Sequence, residues 1–283
     1  MPFDHSLVDQ PSAPSVHSYT WRDAALYALG IGARKDELDY LYEGKGPKVY
    51  PSFGVVPGFS SMFELLSKSG GDLAMLVHGS QRVRVHQQFK PADTLSTVTK
   101  IRGIYDMRKF AVMYLDSETK SADGAVVCES TASMFFRGEG GFGGTTVPKE
   151  AKIVEVPRGE GAREPDFRVE ETTSPELALL YRLSGDVNPL HADPEFATSV
   201  GFPRGPILHG LCTYGHMVRH AAKAALGGDA SRLTGFDASF KKPVWPGDTL
   251  ITEGWNVGDG KIALQMKVKE RDEVVLGGWA TYR

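Results

Sequence analysis

Cysteine is scarce in this chain: Cys128 and Cys212 are the only two in 283 residues. Two are too few for a disulfide framework, so burial has to stabilise the fold, which suits a reducing compartment. No run approaches the ~18 consecutive apolar residues of a membrane span. Neither sign of charge is in excess, with 32 Lys and Arg against 35 Asp and Glu, a net charge of -3. That balance offers no basic field for nucleic acid or an anionic membrane surface. The start, Met1-Pro2-Phe3-Asp4-His5, lacks the basic-then-apolar order of a signal peptide, and Thr281-Tyr282-Arg283 is not a peroxisomal tripeptide of the Ser-Lys-Leu kind. A cytoplasmic protein is therefore expected, with the peroxisomal matrix as the setting to consider in a eukaryote. What is present, 41% hydrophobic and 24% charged residues, is the composition of a globular protein of one large or two smaller domains.

The chain repeats itself weakly. Pro91-Ala92-Asp93-Thr94-Leu95 returns as Pro246-Gly247-Asp248-Thr249-Leu250, and Ala25-Leu26-Tyr27-Ala28-Leu29-Gly30 parallels Leu179-Leu180-Tyr181-Arg182-Leu183-Ser184, at offsets of 155 and 154 residues. A third echo sets Leu76-Val77-His78-Gly79 against Ile207-Leu208-His209-Gly210, at a different spacing. Together they indicate duplication. Each half reads as helix first, then strands. Thr20 can cap a helix with Asp23 in its first turn, and Ser174-Pro175-Glu176 opens another. The longest helix is expected over 209–226, apolar enough for a sheet to wrap it. Strands are expected at 82–89, 94–104, 110–116, 125–136, 236–245, 249–257, 261–269 and 274–282. This is an antiparallel α+β architecture with halves at 1–144 and 166–283 and a linker at 145–165.

The chemistry concentrates in the second half. Gly185-Asp186-Val187-Asn188-Pro189-Leu190-His191 packs a carboxylate, an amide and an imidazole into six positions. Pro189 biases Asn188 away from helix, so an irregular turn presents these side chains. Asp186 and His191 suit the handling of a water and a proton. His209-Gly210 adds a helix start, where unpaired N–H groups and the dipole favour a developing oxyanion at Gly210. Superposing the Tyr27 and Tyr181 segments puts Gly32 opposite Asp186 and Glu37 opposite His191, so the first half lacks the pair.

Other chemistries fit less well. Gly138, Gly140 and Gly143 spell G-x-G-x-x-G, yet Thr145-Thr146-Val147-Pro148 opens no helix to hold a pyrophosphate. An EF-hand would need glycine where His191 stands and glutamate where Ala197 stands, and Cys212 offers zinc no second thiolate at short spacing. Cys212 sits in the apolar helix, where thiols are inert, and Ser184 is in no nucleophile elbow. No metal is expected.

Tyr181 to Asp193, Gly201-Phe202-Pro203 and Pro206 to Thr213 resemble the signature of the MaoC-like, (R)-specific or type-2 enoyl-CoA hydratases. In the first half, Tyr19 to Ala33, Tyr50 to Val55, Leu76 to Gly79 and Gly138 to Gly144 resemble that family's long form. The resemblance implies a double hot-dog fold, in which two antiparallel sheets each wrap a helix and the first unit makes room for the acyl tail. It implies that Asp186 and His191 are the hydratase pair, that Asn188 places the water and that the Gly210 amide is the oxyanion donor. Gly185, Ile207, Leu208 and His209 are expected to contact the substrate. The substrate would be an acyl-CoA thioester, with CoA as its carrier and no separate cofactor, and a homodimer is expected. A dehydratase of branched, steroid or polyketide acyl thioesters, a thioesterase and a non-catalytic acyl-thioester binding module are the alternatives.

Overall fold

A computed structural model of the protein describes residues 2–148 and 154–283. Ten strands form one antiparallel sheet. The first five are β1 (Ser15–Tyr19), β2 (Leu76–Val85), β3 (Asp93–Asp106), β4 (Phe110–Lys120) and β5 (Val126–Arg137). The second five are β6 (Phe167–Thr172), β7 (Leu233–Phe240), β8 (Thr249–Gly258), β9 (Lys261–Val268) and β10 (Glu273–Tyr282). Their spatial order is β1-β3-β4-β5-β2-β7-β10-β9-β8-β6. Read inward from either edge, the two halves have the same connectivity, which is what duplication requires. They meet where β2 pairs with β7 from Ser80↔Ser239 to Arg84↔Gly235, and Arg82 Nε lies 2.6 Å from Asp237 Oδ2 across that seam.

Among the described residues five α-helices accompany the sheet: α1 (Trp21–Gly30), α2 (Phe59–Lys68), α3 (Leu177–Tyr181), α4 (Pro194–Ser199) and α5 (Gly210–Ala225). Thr20 caps α1 as expected, and the cap is a reciprocal box: the Thr20 N–H donates to Asp23 Oδ2 at 2.7 Å. Every residue of α5 from Leu211 to Ala222 is buried, so the helix is enclosed on all sides. Each large apolar side chain there, such as Met217 or Val218, contributes about 1.5–3 kcal/mol of burial. α1 packs on α3, and Tyr27 faces Tyr181 with ring centroids 6.0 Å apart. The repeated segments thus meet each other.

The halves differ where function needs them to. Among its described residues the first unit has no helix of α5's length; a short turn, Pro51–Val55, lies between α5 and strands β2 and β5, while α2 packs on β3. The third echo does not relate equivalent elements. Leu76 to Gly79 lies in β2, at a bulge where pairing with β5 shifts between His78 and Ser80, whereas Ile207 to Gly210 leads into α5. A Cβ at Gly79 would fall 1.8 Å from the Phe135 ring, so the glycine there answers to strand packing.

A buried ionic cluster locks the units together. Arg219, 1% exposed, donates from Nη1 to Glu37 Oε2 (2.7 Å), from Nη2 to Glu171 and from Nε to the Ile31 carbonyl (2.9 Å). The Tyr50 hydroxyl also donates to Glu37, at 2.8 Å. Glu37, opposite His191 in the repeat, is thus an ion-pair partner. The glycine run wraps a carboxylate: Asp106 accepts from the N–H groups of Arg108, Gly141 and Gly143 at 2.7–2.8 Å. It is a turn, with left-handed φ at Gly138, Gly141 and Gly143. Of the expected linker, residues 149–153 lie outside the described residues; the described remainder carries one short 3-10 turn, Gly159–Gly161. Among the described residues no helix is long and apolar enough to cross a membrane.

Candidate active site

The segment after α3 turns sharply. A 3-10 turn ends at Ser184, Gly185 takes φ +130°, and the chain enters the irregular stretch 186–188. Two local hydrogen bonds fix it: the Asn188 N–H donates to Asp186 Oδ1 at 3.1 Å, and the Leu190 N–H to Asn188 Oδ1 at 3.0 Å. Asn188 therefore caps the turn Pro189–His191 with its carbonyl oxygen, leaving its amide NH₂ to donate elsewhere. His191 is buried, and its Nδ1–H donates to the Ile207 carbonyl at 2.8 Å. Because a carbonyl can only accept, that bond sets the tautomer and leaves Nε2 as a proton acceptor.

His209 lies behind this pair. It is 1% exposed, stacks on His191 with ring centroids 3.7 Å apart, and donates Nε2–H to the Asp186 backbone carbonyl at 3.0 Å. Burial and then the neighbouring His191 hold its pKa down at about 2, so it stays neutral. The His191 pKa is also lowered by burial, with Asp186 and the Ile207 hydrogen bond opposing. Asp186, His191 and His209 bring ligand-capable atoms within 4.8 Å of one another. His209 spends Nε2–H on the Asp186 carbonyl and His191 spends Nδ1–H on Ile207, so the trio is arranged to hold a neutral imidazole beside a carboxylate.

Gly210 is the first residue of α5, its N–H among those without an intrahelical acceptor. A Cβ there would sit 3.2 Å from the Phe240 ring. Asp186, Asn188, His191, Ile207, Leu208 and Gly210 all line one cleft of about 740 Å³. Of the residues expected to touch substrate, two do not line it: His209 stands behind His191, and Gly185 turns the backbone. Sequence reasoning placed the cleft's far end in the first unit but missed the residues that line it. It runs into the first unit between α2 and the sheet, lined there by Phe59, Met62, Phe63, Leu66, Leu76 and Met134. Phe59, Met62, Phe63 and Leu66 stand at helical spacing, the signal that could have found α2. Thr213, one turn after Gly210, and Phe240 complete the polar end.

A cleft that joins a carboxylate–imidazole pair and a helix N-terminus to an apolar arm, in a duplicated sheet around one long helix, defines a double hot-dog enzyme. Residues 17–138 match the MFE-2 hydratase 2 N-terminal domain and residues 159–277 the MaoC like domain. The chain is 38% identical over 290 residues to "Enoyl-CoA hydratase 2, peroxisomal" of Arabidopsis thaliana, covering 94% of this chain and 91% of that protein. It is 37% identical over 281 residues to "3-hydroxyacyl-thioester dehydratase Y" of Mycobacterium tuberculosis, covering 96% and 94%. The crystal structure of a MaoC-like dehydratase from Phytophthora capsici superposes with a TM-score of 0.86 at 35% identity, covering 98% of this chain and 96% of that one. The chain belongs to the MaoC-like enoyl-CoA hydratase 2 family.

Proposed function

We propose that this enzyme reversibly hydrates trans-2-enoyl-CoA to (3R)-3-hydroxyacyl-CoA in fatty-acid metabolism. The observation that carries the reading is the Asp186–His191 pair facing the same cleft as the Gly210 helix start. The Gly210 N–H polarises the thioester carbonyl and makes the β-carbon electrophilic. A water held by Asp186 and His191 loses a proton to the pair as its oxygen bonds to the β-carbon, and electron density moves to the thioester oxygen. The enolate then collapses as the pair returns a proton to the α-carbon on the same face. Asp186 and His191 act as one coupled unit. The Asn188 NH₂ group donates to the water. Residues 1–144 form the non-catalytic unit that shapes the acyl arm, and residues 166–283 the catalytic one. No metal or redox cofactor is required, and a chelator is expected to leave turnover unchanged. The assembly is a homodimer, from the tendency of hot-dog sheets to pair, in a reducing compartment such as the cytoplasm.

Met62 lies on the cleft side of α2 and narrows the acyl arm when enlarged. Met62→Trp is expected to lower kcat/KM on trans-2-decenoyl-CoA relative to crotonyl-CoA by roughly tenfold. An unchanged ratio would put the acyl tail elsewhere.

His209 is a positioning residue: it holds Asp186 by its carbonyl and His191 by stacking. His209→Ala is expected to reduce kcat on the order of 10²-fold through misplacement of the pair. Solvent entering the space would also relieve the desolvation of His191, moving the acid limb of the kcat/KM profile to higher pH. A slower enzyme with an unmoved limb would leave His209 a purely structural role.

A further inference from the structure

His78 reaches the cleft from the first unit, and a bulge in β2 puts it there. From Ser80 onward, successive residues of β2 face opposite sides of the sheet. Gln81 and Val83 belong to the buried inner face, and Ser80 meets Ser133 on the other, their hydroxyl oxygens 2.7 Å apart. Continued without a break, that alternation would leave His78 on the side of Ser80. The pairing with β5 instead shifts between His78 and Ser80. His78 therefore stands opposite Met134, and Leu76 opposite Phe136, both partners being buried residues of the inner face. The imidazole is thus half-buried in the cleft wall, beside Leu76 and Met134 of the acyl arm. Neither the acid–base pair nor an apolar tail requires an imidazole at that place.

The ring is anchored on one side and leans on a second ring on the other. Its Nε2–H donates to the Ser80 carbonyl across the bulge, at 3.0 Å. Burial holds its pKa down at about 4, so the ring is neutral. It lies 4.9 Å from the Phe240 ring, tilted by 55°, an ordinary spacing for two aromatic rings. Phe240 in turn lies against Gly210, where an added Cβ would come within 3.2 Å of it. A chain of contacts thereby runs from the bulge through His78 and Phe240 to the first amide of α5. Phe240 needs such a prop. It ends β7 and lines both the cleft and a second cavity of about 480 Å³, so packing does not wedge its ring on every side. A donor acts on a developing oxyanion only when the oxygen sits about 2.7–3.1 Å away, so a wall that gives way there weakens the Gly210 N–H as a catalyst.

We propose that His78 is a positioning residue of the hydration, supplied by the first unit: through Phe240 it sets the thioester oxygen against the Gly210 N–H. This rests on the hydratase reading for the reaction. It gives the unit that lacks the Asp–His pair a role at the reacting end of the substrate, beyond holding the acyl tail.

The test compares the full-length protein with His78→Ala and His78→Phe on crotonyl-CoA and trans-2-decenoyl-CoA. His78→Ala is expected to lower kcat roughly tenfold on both substrates while KM moves less than about twofold. His78→Phe keeps a ring against Phe240 and should recover most of that loss. If alanine unfolds the chain, His78→Leu, which keeps apolar bulk without a ring, takes its place. In a Phe240→Ala background the change at 78 should cost little more, because its route to Gly210 is already cut. A loss confined to the longer substrate and carried by KM would overturn the proposal, leaving His78 as acyl-arm wall; fully additive losses, or phenylalanine no better than alanine, would overturn it as well. A second readout needs no substrate. In a 15N-glycine spectrum of the free protein, the Gly210 amide, assigned by its disappearance in Gly210→Ala, should shift in His78→Ala and move back in His78→Phe as the Phe240 ring is released and held again. An unmoved Gly210 resonance would overturn the proposal even in an enzyme that hydrates both substrates. No turnover by the unaltered protein would instead count against the hydratase reading, with the Gly210 resonance still deciding whether His78 acts through Phe240.

Discussion

Asp186→Asn and His191→Gln are each expected to lower kcat on an enoyl-CoA by ~10³-fold, the usual weight of a positioned acid–base group. The substitutions are conservative where the fold depends on these residues. Asn at 186 keeps an oxygen to accept the Asn188 N–H, and Gln at 191 can still donate to the Ile207 carbonyl. Thermal midpoints should therefore stay close to that of the unaltered protein. Because the two groups share one water, the double variant should be little worse than either single one. Full activity in both single variants would remove the pair from the mechanism; strictly additive losses would split it into two independent roles.

Stability should fall steeply in mild acid. His191, His209, His216 and His220 are all buried and all have pKa values lowered first by burial, His209 to about 2 and His216 to about 3. In the unfolded chain each titrates near 6.5. Below that pH the unfolded state takes up protons that the folded state refuses, so stability declines as pH falls through 6.5 and goes on declining until each folded value is reached. One unit below 6.5 a histidine whose folded value lies far lower costs ~1.4 kcal/mol. His209 and His216 together therefore remove about 3 kcal/mol, a large part of the 5–15 kcal/mol typical of a folded domain, and His191 and His220 act in the same direction. Glu171 adds to this lower down. Burial raises its pKa, but His220, Arg219 and His216 outweigh burial and hold it at about 2, so its contribution is lost as pH falls below 4.5. Denaturant titrations between pH 8 and 5 should show nearly constant stability above 7.5 and a steep loss below 6.5. A flat profile down to pH 5 would contradict the neutral, buried state of these histidines.

The repeat was legible because its strongest pieces do structural work that sequence records. Pro-x-Asp-Thr-Leu marks the entry to β3 and to β8, and the Tyr27 and Tyr181 segments form α1 and α3. The site turn was legible because Gly185, Asn188 and Pro189 are local devices whose geometry depends on near neighbours. What escaped depends on distant ones. β1 and β6 are edge strands of five and six residues, and the burial of β6 alternates without a long apolar run. β2 was expected at 82–89 but runs Leu76–Val85, and β7 was expected at 236–245 but runs Leu233–Phe240. Both shifts follow from the seam, whose pairing of residues 80–84 with 235–239 fixes which part of each apolar stretch is strand. The roles of His209 and Glu37 depend on partners more than twenty residues away, Asp186 and Arg219, and no local pattern announces them.

The most direct test mixes the purified protein with trans-2-decenoyl-CoA and crotonyl-CoA, follows the enoyl-thioester absorbance, and determines the configuration of the product. Loss of absorbance with formation of the (3R)-3-hydroxyacyl-CoA, and with the longer substrate accepted, is the expected result. Release of free CoA thiol, a (3S) product, or no reaction from folded protein would contradict the account.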